Sequence, residues 1–539
     1  MAETELPVVG FHPYLWGDPA QHSGLPPAIH AALSGLGVTA PARPAVPPDA
    51  VRLPPVTLSE AARAALTAVV GAEHVDSGHD ARLGHTRGRS TPDLLRLRAG
   101  DAADAPDAVV FPGSHDEVVA VLRACAEHRV AVVPYSGGTS VVGGLAPARA
   151  GFAGVVTLDL RRLDALVEVD SVSRTAVLQA GLRGPRAERL LREQGFTLGH
   201  FPQSYEGASI GGYAAARSAG QSSAGYGRFD EMVVGLVLAT PRGTVELGTA
   251  PKSAAGPDLR QLVLGSEGVL GVITSVRVRV RPAPGERIFE GWRFPSFEAG
   301  AAALRRLAQA GTPPPTVLRL SDELETAVNL ADPAAALDGG PGGCLAITGY
   351  EGDPAEVAAR RAAATDVLLA AGGAPLGPGP GESWREGRFR APYLRDPILA
   401  AGGLVETLET AAFWSGLHRL RAAVTEALTA ELTGQGTPPV VLCHISHVYE
   451  TGASLYFTVV CAQAADPLTQ WAAAKTAANR AIRSCGAAIT HHHGVGTDHR
   501  AAYAEEIGPL AVEALHAVKR VLDPTGILNP GVLLPPAGG

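Results

Sequence analysis

The stretch P-Y-S-G-G-T-S-V-V-G-G-L-A-P, Pro134–Pro147, decides the fold. Its glycines let successive backbone N–H groups close on an anion with no Cβ in the way. Thr139 and Ser140 add hydroxyl donors. The spacing is neither G-x-G-x-x-G nor a P-loop, because no lysine follows the glycines. Taken alone, the stretch also reads as a glycine-rich turn between strands. Val130–Val133 is a short apolar strand that ends at Pro134. Before it, Ser114-x-x-Glu117 forms a capping box. The helix behind that box buries Val118, Val119, Leu122 and Cys125 at helical spacing. Val109–Phe111 supplies an earlier strand, so the order is strand, helix, strand, glycine loop. Two more small-residue runs follow. P-Q-S-Y-E-G-A-S-I-G-G, Pro202–Gly212, enters a helix; G-S-E-G-V-L-G-V-I-T, Gly265–Thr274, enters a strand. Three such runs fit one cofactor threaded through one domain.

Further strands are expected at Val155–Leu160, Ala165–Val169, Thr175–Ala180 and Val233–Thr240, with a helix over Gly184–Gln194. In Val272–Arg281, valines 276, 278 and 280 alternate with arginines 277, 279 and 281, the period of a half-buried strand. P-A-P-G at 282–285 marks a boundary. Beyond it the pattern predicts a Gly/Pro loop over Gly372–Gly381, a helix over 415–432 and a strand over Leu455–Cys461. One helix is expected from His499 to Leu522. Its stripe is Ile507, Leu510, Ala511, Ala514, Leu515, Val518, Val521 and Leu522, and Asp523-Pro524-Thr525-Gly526 stops it. The apolar stretch 397–414 reads as a mobile lid, a lipid-facing segment or a core helix. Residues 1–56, with prolines at 41–48 and 54–55, read as an extended arm with one short helix. A helix over Leu58–Val70 and a polar loop over Gly84–Asp93 follow.

The 539 residues leave room for about three domains, or for two large ones. The net charge of −8 argues against a partner whose phosphates need a basic surface, so no nucleic acid is expected. Charged residues are 18%, too few for solvated disorder to be the main theme. The five cysteines are scattered, with no C-x-x-C pair for zinc or redox work. No basic and apolar leader opens the chain and no apolar run spans a membrane, so the expected compartment is a reducing cytosol.

The three small-residue runs resemble the FAD-binding domain of the vanillyl-alcohol oxidase/p-cresol methylhydroxylase superfamily. The second half resembles a narrower branch, the alkylglycerone-phosphate (alkyl-dihydroxyacetonephosphate) synthases of ether-lipid synthesis. The stretches that carry this are R-A-P-Y-L-R-D (Arg390–Asp396), E-T-L-E-T-A-A-F-W (Glu406–Trp414), L-Y-F (Leu455–Phe457), H-H-H-G-V-G (His491–Gly496) and L-D-P-T-G-I-L-N-P-G (Leu522–Gly531). The resemblance implies an α+β fold. Its parts are an N-terminal segment (1–100), a two-subdomain FAD-binding domain of the p-cresol methylhydroxylase type (101–284), an α/β cap for the substrate (285–490) and a C-terminal helical segment (491–539). It implies that Ser136, Gly137, Gly138, Thr139, Ser140 and Val141 hold the FAD pyrophosphate, with Pro134 also among the cofactor-binding residues. Pro202, Gln203, Ser204, Ser209, Gly212, Arg217 and Ser218 would lie near the flavin, and Glu267, Gly268, Gly271, Val272 and Ile273 along the FAD. Many members tether FAD through the histidine of a G-G-H sequence. Thr139 stands there, so FAD is expected to be non-covalent.

His491, His492 and His493 read as a metal cluster, as surface histidines or as catalytic groups. On a strand, His491 and His493 would face one way and His492 the other. Imidazole titrates near neutrality, which suits acid–base work. A rival branch, the D-2-hydroxyacid dehydrogenases, carries H-x-G-D-G-N-x-H and E-H-G-x-G metal motifs. Here the first is reduced to C-H-I-S-H-V-Y-E-T-G (Cys443–Gly452) and the second has His492 for its glutamate, so no metal is expected; His444 and His447 keep the metal reading open, and a site on the triplet would want Asp498 or His499 as a third ligand. By resemblance to the ether-lipid branch, Tyr456 is the general acid/base, Arg395 contacts the substrate phosphate, and His491, His492 and His493 belong to the catalytic motif. A phenol of pKa about 10 needs cationic neighbours, such as these histidines, to lower it. Arg395 offers a planar fork of donors to a phosphomonoester.

The sequence departs from the branch at Ser136, at Ala216 before Arg217, at Glu206-Gly207-Ala208, at D-H-R-A-A-Y after the triplet and at Leu15-Trp16-Gly17. The implied activity is exchange of the acyl group of acyl-dihydroxyacetone phosphate for a fatty alcohol through a flavin N5 adduct. Alternatives are an FAD-dependent oxidoreductase acting on a 2-hydroxy acid or alcohol, and a non-catalytic flavin-binding protein. The resemblance further implies a homodimer, and a long-chain, lipid-like substrate implies peripheral contact with a membrane.

Overall fold

The computed structural model describes residues 10, 12–19, 24–38, 44–146, 148–149, 151–311, 313–329 and 342–536. Pro147, most of the leading decapeptide and part of the Pro41–Pro48 cluster lie outside them. Two sheets carry the first half. One runs β1 (Val75–Asp76), β2 (Ala108–Val110), β4 (Gly154–Asp159), β3 (Val130–Tyr135) in spatial order, with β2, β4 and β3 parallel. Parallel pairing needs a crossover, which the capped helix His115–Glu127 supplies. Both faces of these strands are covered, so apolar residues predominate along them, with Thr157 and Asp159 the buried polar exceptions in β4. The second sheet is antiparallel. Its order is β5 (Leu166–Asp170), β6 (Thr175–Gln179), β10 (Val272–Arg279), β8 (Val233–Thr240), β9 (Gly243–Leu247). Val276 and Val278 point into its core, while Arg277 reaches Glu168 at 3.0 Å on the solvent side. Arg281 leaves this strand to pair with Thr197 of a separate short ribbon.

The second half is built on a seven-stranded antiparallel sheet. Its order is β15 (Ala374–Gly377), β12 (Glu286–Phe294), β14 (Cys344–Gly352), β13 (Val317–Ser321), β17 (Val440–Val448), β18 (Gly452–Ala462), β16 (Gly403–Phe413). The helices Phe297–Ala308, Pro354–Ala370, Leu417–Gly434 and Pro467–Ser484 contribute to its core.

Four expectations are corrected. Stretch 397–414 is neither lid, lipid-facing segment nor core helix: a helix ends at Ala400, and Gly403–Phe413 is a strand paired along its whole length with β18. The expected loop Gly372–Gly381 contains β15 and the start of the helix Pro378–Gly387, whose proline sits where a helix needs no N–H. The last helix is two, Arg500–Ile507 and Pro509–Leu522. Gly508 takes φ +81° between them, and Pro509 lacks the N–H that would continue the first. The polar loop Gly84–Asp93 is mostly interior, with His85 on Asp159 at 2.9 Å.

The described part of the N-terminal segment is a packed element. Trp16 donates its N–H to Asp396 at 2.6 Å. Tyr14, Val51, Leu94 and Leu97 share a core with Leu399, and Leu33 joins Ile398 and Val405. At the other end, Ile527 and Leu528 enter the core of the first sheet, where Leu528 bridges Val132.

Candidate functional site

The three small-residue runs converge. Arg183 donates to the Ser136 carbonyl at 2.8 Å and also to the Gly207 carbonyl, clamping the first run to the second. A Cβ at Gly137 would strike that same Gly207 carbonyl. The third run joins the helix Ile210–Ala216 through Gly265 and Glu267, whose amides donate to Ala214 and Ala215 at 3.1 and 3.0 Å. A Cβ at Gly268, φ +78°, would sit 2.8 Å from the Pro134 ring. Gly138 also has positive φ, so the first run bends there in a way that favours glycine. Among the described residues, the amides of Gly137, Gly138, Thr139, Ser140 and Val141 meet no acceptor, and the Ser136 hydroxyl is buried without a partner. A row of unused donors in a glycine-lined cradle fits a pyrophosphate.

Other predicted positions serve as supports. Ser209 caps the helix Ile210–Ala216 by accepting the Gly212 amide at 3.3 Å. Arg217 ends that helix in the left-handed region, next to Asp230 at 3.6 Å. Ser218 shares a hydrogen bond with His200, and Gln203 donates to the Arg388 carbonyl at 2.7 Å. Pro202 and Ser204 lie in the turn before the helix, and Gly271, Val272 and Ile273 lead into β10. The Glu267 carboxylate accepts the Val495 and Gly496 amides at about 3 Å, tying the third run to the segment after the histidines. Burial pushes it up to about 7 against those two bonds.

The second cluster is organised by the cap sheet. Register places Glu409 of β16, Tyr456 of β18 and His444 of β17 in one row. His444 stacks on Tyr456 with ring centres 4.9 Å apart. His447 lies three positions further along β17 and would face the opposite side of a regular strand. The register shift between Ile445 and His447 inserts Ser446 as an extra residue and returns His447 to the same face. The His447 ring is then 4.9 Å from both His491 and His492.

The histidine triplet is not a strand, and its side chains do not alternate. Three successive amides turn onto one carboxylate. Glu409 accepts the amides of His491 at 2.5 Å, His492 at 3.0 Å and His493 at 2.8 Å, and the Thr490 hydroxyl at 2.6 Å. Burial works to raise that carboxyl. The charges that His492, His493 and His491 take up on protonation, with the Thr490 hydroxyl bond, outweigh it and hold the group well below the carboxylate range. This fold-back aims all three rings at one region. His492 stacks near Tyr456 with centres 6.2 Å apart, and His493 meets it edge-on at 5.6 Å. His491 shares a 2.7 Å hydrogen bond with the Tyr449 hydroxyl.

The expected cationic histidines are overturned. Burial lowers His491, His492 and His447, and takes His493 down to about 3, so the rings are neutral near pH 7. Tyr456 moves the other way, up to about 12, because burial and the Glu406 and Glu409 carboxylates outweigh a hydrogen bond to Thr407 and the charge of Arg395. The phenol is therefore protonated and surrounded by proton-accepting rings.

Arg395 lies on the helix Ala391–Ala400 and donates Nη1 to the Arg89 carbonyl at 2.6 Å. Its Nε and Nη2 are buried without a hydrogen-bond partner. These two neighbouring donors form one edge of the guanidinium, the geometry an oxyanion accepts in bidentate fashion. Arg89 also ties this point to the glycine loop, its N–H donating to the Ser140 carbonyl at 2.6 Å.

Two members of the site escaped the sequence reading, Glu409 and Tyr449. For Glu409 the available signal was a carboxylate within an apolar strand, which must be paired if buried. Tyr449 had none. His447, His491 and His492 place ligand atoms within 4.8 Å of one another, a spacing that would also admit a metal ion. Asp498 and His499, the nearby candidates for a third ligand, are not in that group; His499 bonds the Gly494 carbonyl instead. An open 770 Å³ cavity along the helix Leu417–Gly434 contains none of these residues.

The family of FAD linked oxidases, C-terminal domain, matches residues 283–533, and the FAD binding domain family matches 106–248. The chain is 32% identical to an alkyldihydroxyacetonephosphate synthase of Trypanosoma brucei brucei, over 90% of this chain and 82% of that protein. A solved alkyldihydroxyacetonephosphate synthase structure superposes with a TM-score of 0.83 at 27% identity, covering 98% of this chain and 99% of the other. More distant is a mitochondrial D-lactate dehydrogenase (cytochrome) of Arabidopsis thaliana, 28% identical over 81% of this chain and 74% of its own length. FAD is thus the group that the pyrophosphate cradle fits. The chain belongs to the alkyldihydroxyacetonephosphate synthase family and is an FAD-dependent enzyme of alkylglycerone-phosphate synthase-like function.

Proposed function

We propose that this enzyme exchanges the acyl group of acyl-dihydroxyacetone phosphate for a fatty alcohol, forming the ether bond of an ether lipid. The observation that carries the substrate class is the unpartnered Nε–Nη2 edge of Arg395, close enough to Tyr456 for its charge to act on the phenol. Arg395 holds the substrate phosphate in bidentate fashion. That places the carbon next to the ketone at the Tyr456 hydroxyl. Tyr456 starts protonated, with the neutral rings of His492 and His493 packed beside it, and is the group that exchanges a proton with that carbon. His491 is held in the same cluster by the Tyr449 hydroxyl. Glu409 keeps the three rings in place without titrating itself. When bound, FAD supplies an electron sink beside the reacting carbon. Ser136–Val141 would hold its pyrophosphate, with Pro202–Ser204, Ser209, Gly212, Arg217–Ser218 and Glu267–Ile273 along it. Thr139 cannot bond the flavin covalently. In this reading 101–284 carries the cofactor, 285–490 covers the substrate and 491–539 closes the site between them. The enzyme is cytoplasmic, dimeric and in peripheral contact with a membrane. Among the described residues, no helix is long and apolar enough to cross one.

The test is an anaerobic visible spectrum of the flavoprotein with acyl-dihydroxyacetone phosphate. Bleaching that reverses on adding fatty alcohol, with ether product, is expected. A second reading, oxidation of a 2-hydroxy acid, draws on the spacing of His447, His491 and His492. Lasting bleaching by a hydroxyacid, with a tightly bound metal found by elemental analysis, would establish it in place of the first.

A further inference from the structure

The segment from His12 to Asp18 lies on the helix Ala391–Ala400 at the turn that carries Arg395. Trp16 is buried, and its backbone N–H is fixed by Asp396, the residue next to Arg395. Its ring lies against the Arg395 guanidinium, whose carbon is 5.7 Å from the ring centre. Gly17 follows in the left-handed region at φ +60°, and a Cβ there would fall on the Tyr393 hydroxyl. That hydroxyl donates to Glu206 of the second small-residue run at 3.0 Å. Upstream, the His12 carbonyl accepts Arg89 Nη2 at 3.0 Å, and the Arg89 carbonyl in turn accepts Arg395 Nη1. One short stretch of the N-terminal segment thus touches the guanidinium, the helix that bears it and the residue that anchors it.

We propose that Trp16 is a positioning residue of the phosphate subsite, which rests on the reading of Arg395 as the group that holds the substrate phosphate. A free arginine side chain samples many rotamers, and freezing one of them on binding costs affinity. Here the guanidinium is held at two points before a ligand arrives. Arg89 takes Nη1. The indole covers one face, where the ring attracts the cation and where no N–H points, because the donors lie in the guanidinium plane. The Nε–Nη2 edge stays available. A phosphomonoester is the ligand that fits such a two-donor edge. The indole also keeps water off the covered face, which strengthens the attraction between guanidinium and phosphate. A ketone without phosphate gains nothing from this arrangement. Trp16 therefore acts on the choice of a phosphorylated substrate as well as on its affinity.

The experiment titrates dihydroxyacetone phosphate, and dihydroxyacetone as the ligand without phosphate, into the FAD-loaded full chain by calorimetry. Steady-state kinetics with acyl-dihydroxyacetone phosphate run alongside. Trp16→Leu keeps an apolar side chain and loses the aromatic face. It should weaken binding of the phosphate about three- to tenfold, leave dihydroxyacetone unchanged and place the kinetic loss in KM rather than kcat. Trp16→Phe restores an aromatic face and should bind the phosphate within about twofold of the unaltered chain. Unaltered affinity in Trp16→Leu overturns the proposal. So does an equal loss in the leucine and phenylalanine variants, which would mean that the indole only fills space. Arg395→Lys separates the two roles. If it loses the preference for phosphate while Trp16→Leu keeps it, Arg395 binds phosphate without help from the ring and the role of Trp16 is refuted. If both variants keep the preference, the phosphate binds elsewhere and both assignments fall.

Discussion

Replacing Glu409 by glutamine tests whether one carboxylate shapes the histidine triplet. Oε1 takes three donors, Thr490 Oγ1 and the amides of His492 and His493, and Oε2 takes the His491 amide. A glutamine can keep the three-donor position with its oxygen. Its NH2 then faces the His491 N–H, donor against donor. A charge-assisted bond is worth about 1.5–3 kcal/mol, and the remaining three lose their charge assistance, so local opening should become easier by about 2–4 kcal/mol. That is about 30- to 900-fold in the opening equilibrium. The assay is hydrogen exchange of a peptide spanning 488–497, with 130–135 of the first sheet as reference. The expected result is faster exchange in the first peptide only, with flavin retained and turnover largely lost. Unchanged exchange at 488–497, or an equal rise at 130–135, would refute the idea that Glu409 organises the triplet locally.

Stability should fall on acidification. His493 and His499 have folded values of about 3, so below the unfolded value near 6.5 the unfolded chain binds the extra protons. Each then costs about 1.4 kcal/mol per pH unit, or about 2 kcal/mol at pH 5. The depressed Glu409 adds to the loss only at lower pH, below its unfolded value and down through its folded one. Denaturant melts from pH 7.5 to 5 measure this, and a flat profile would mean that the rings are not held neutral. Tyr456→Phe keeps the ring stack but should cut exchange of the substrate methylene proton by at least about 100-fold, as followed by deuterium uptake. Arg395→Lys retains a charge but not the fork, so kcat/KM for the phosphate substrate should drop about tenfold or more in steady-state assays. Acid precipitation should leave the yellow colour in the supernatant, because Thr139 offers the flavin no ring nitrogen.

Local pattern determined much of this protein. The glycine loop, the capped helix before it and the Val/Arg alternation of β10 depend on neighbours within a few residues, and all three appear in the structure. So do the residue types of the site, because Tyr456, Arg395 and the triplet lie in motifs that can be read along the chain. The conformation of those motifs was not legible. A run of three histidines looks the same whether it forms a strand or wraps a carboxylate, and the carboxylate here comes from a strand 82 residues earlier. The bulge at Ser446 that aligns His447, the pairing that makes a strand of Gly403–Phe413 and the docking of Trp16 on Asp396 are likewise long-range. Even the sign of the Tyr456 shift belongs to this class. Proximity to histidines pointed down, whereas burial, a property of the assembled core, neutralises the histidines and sends the phenol up. Sequence periodicity specifies which face of an element is apolar; only tertiary packing decides what that face meets, how dry it is and therefore which protons it holds.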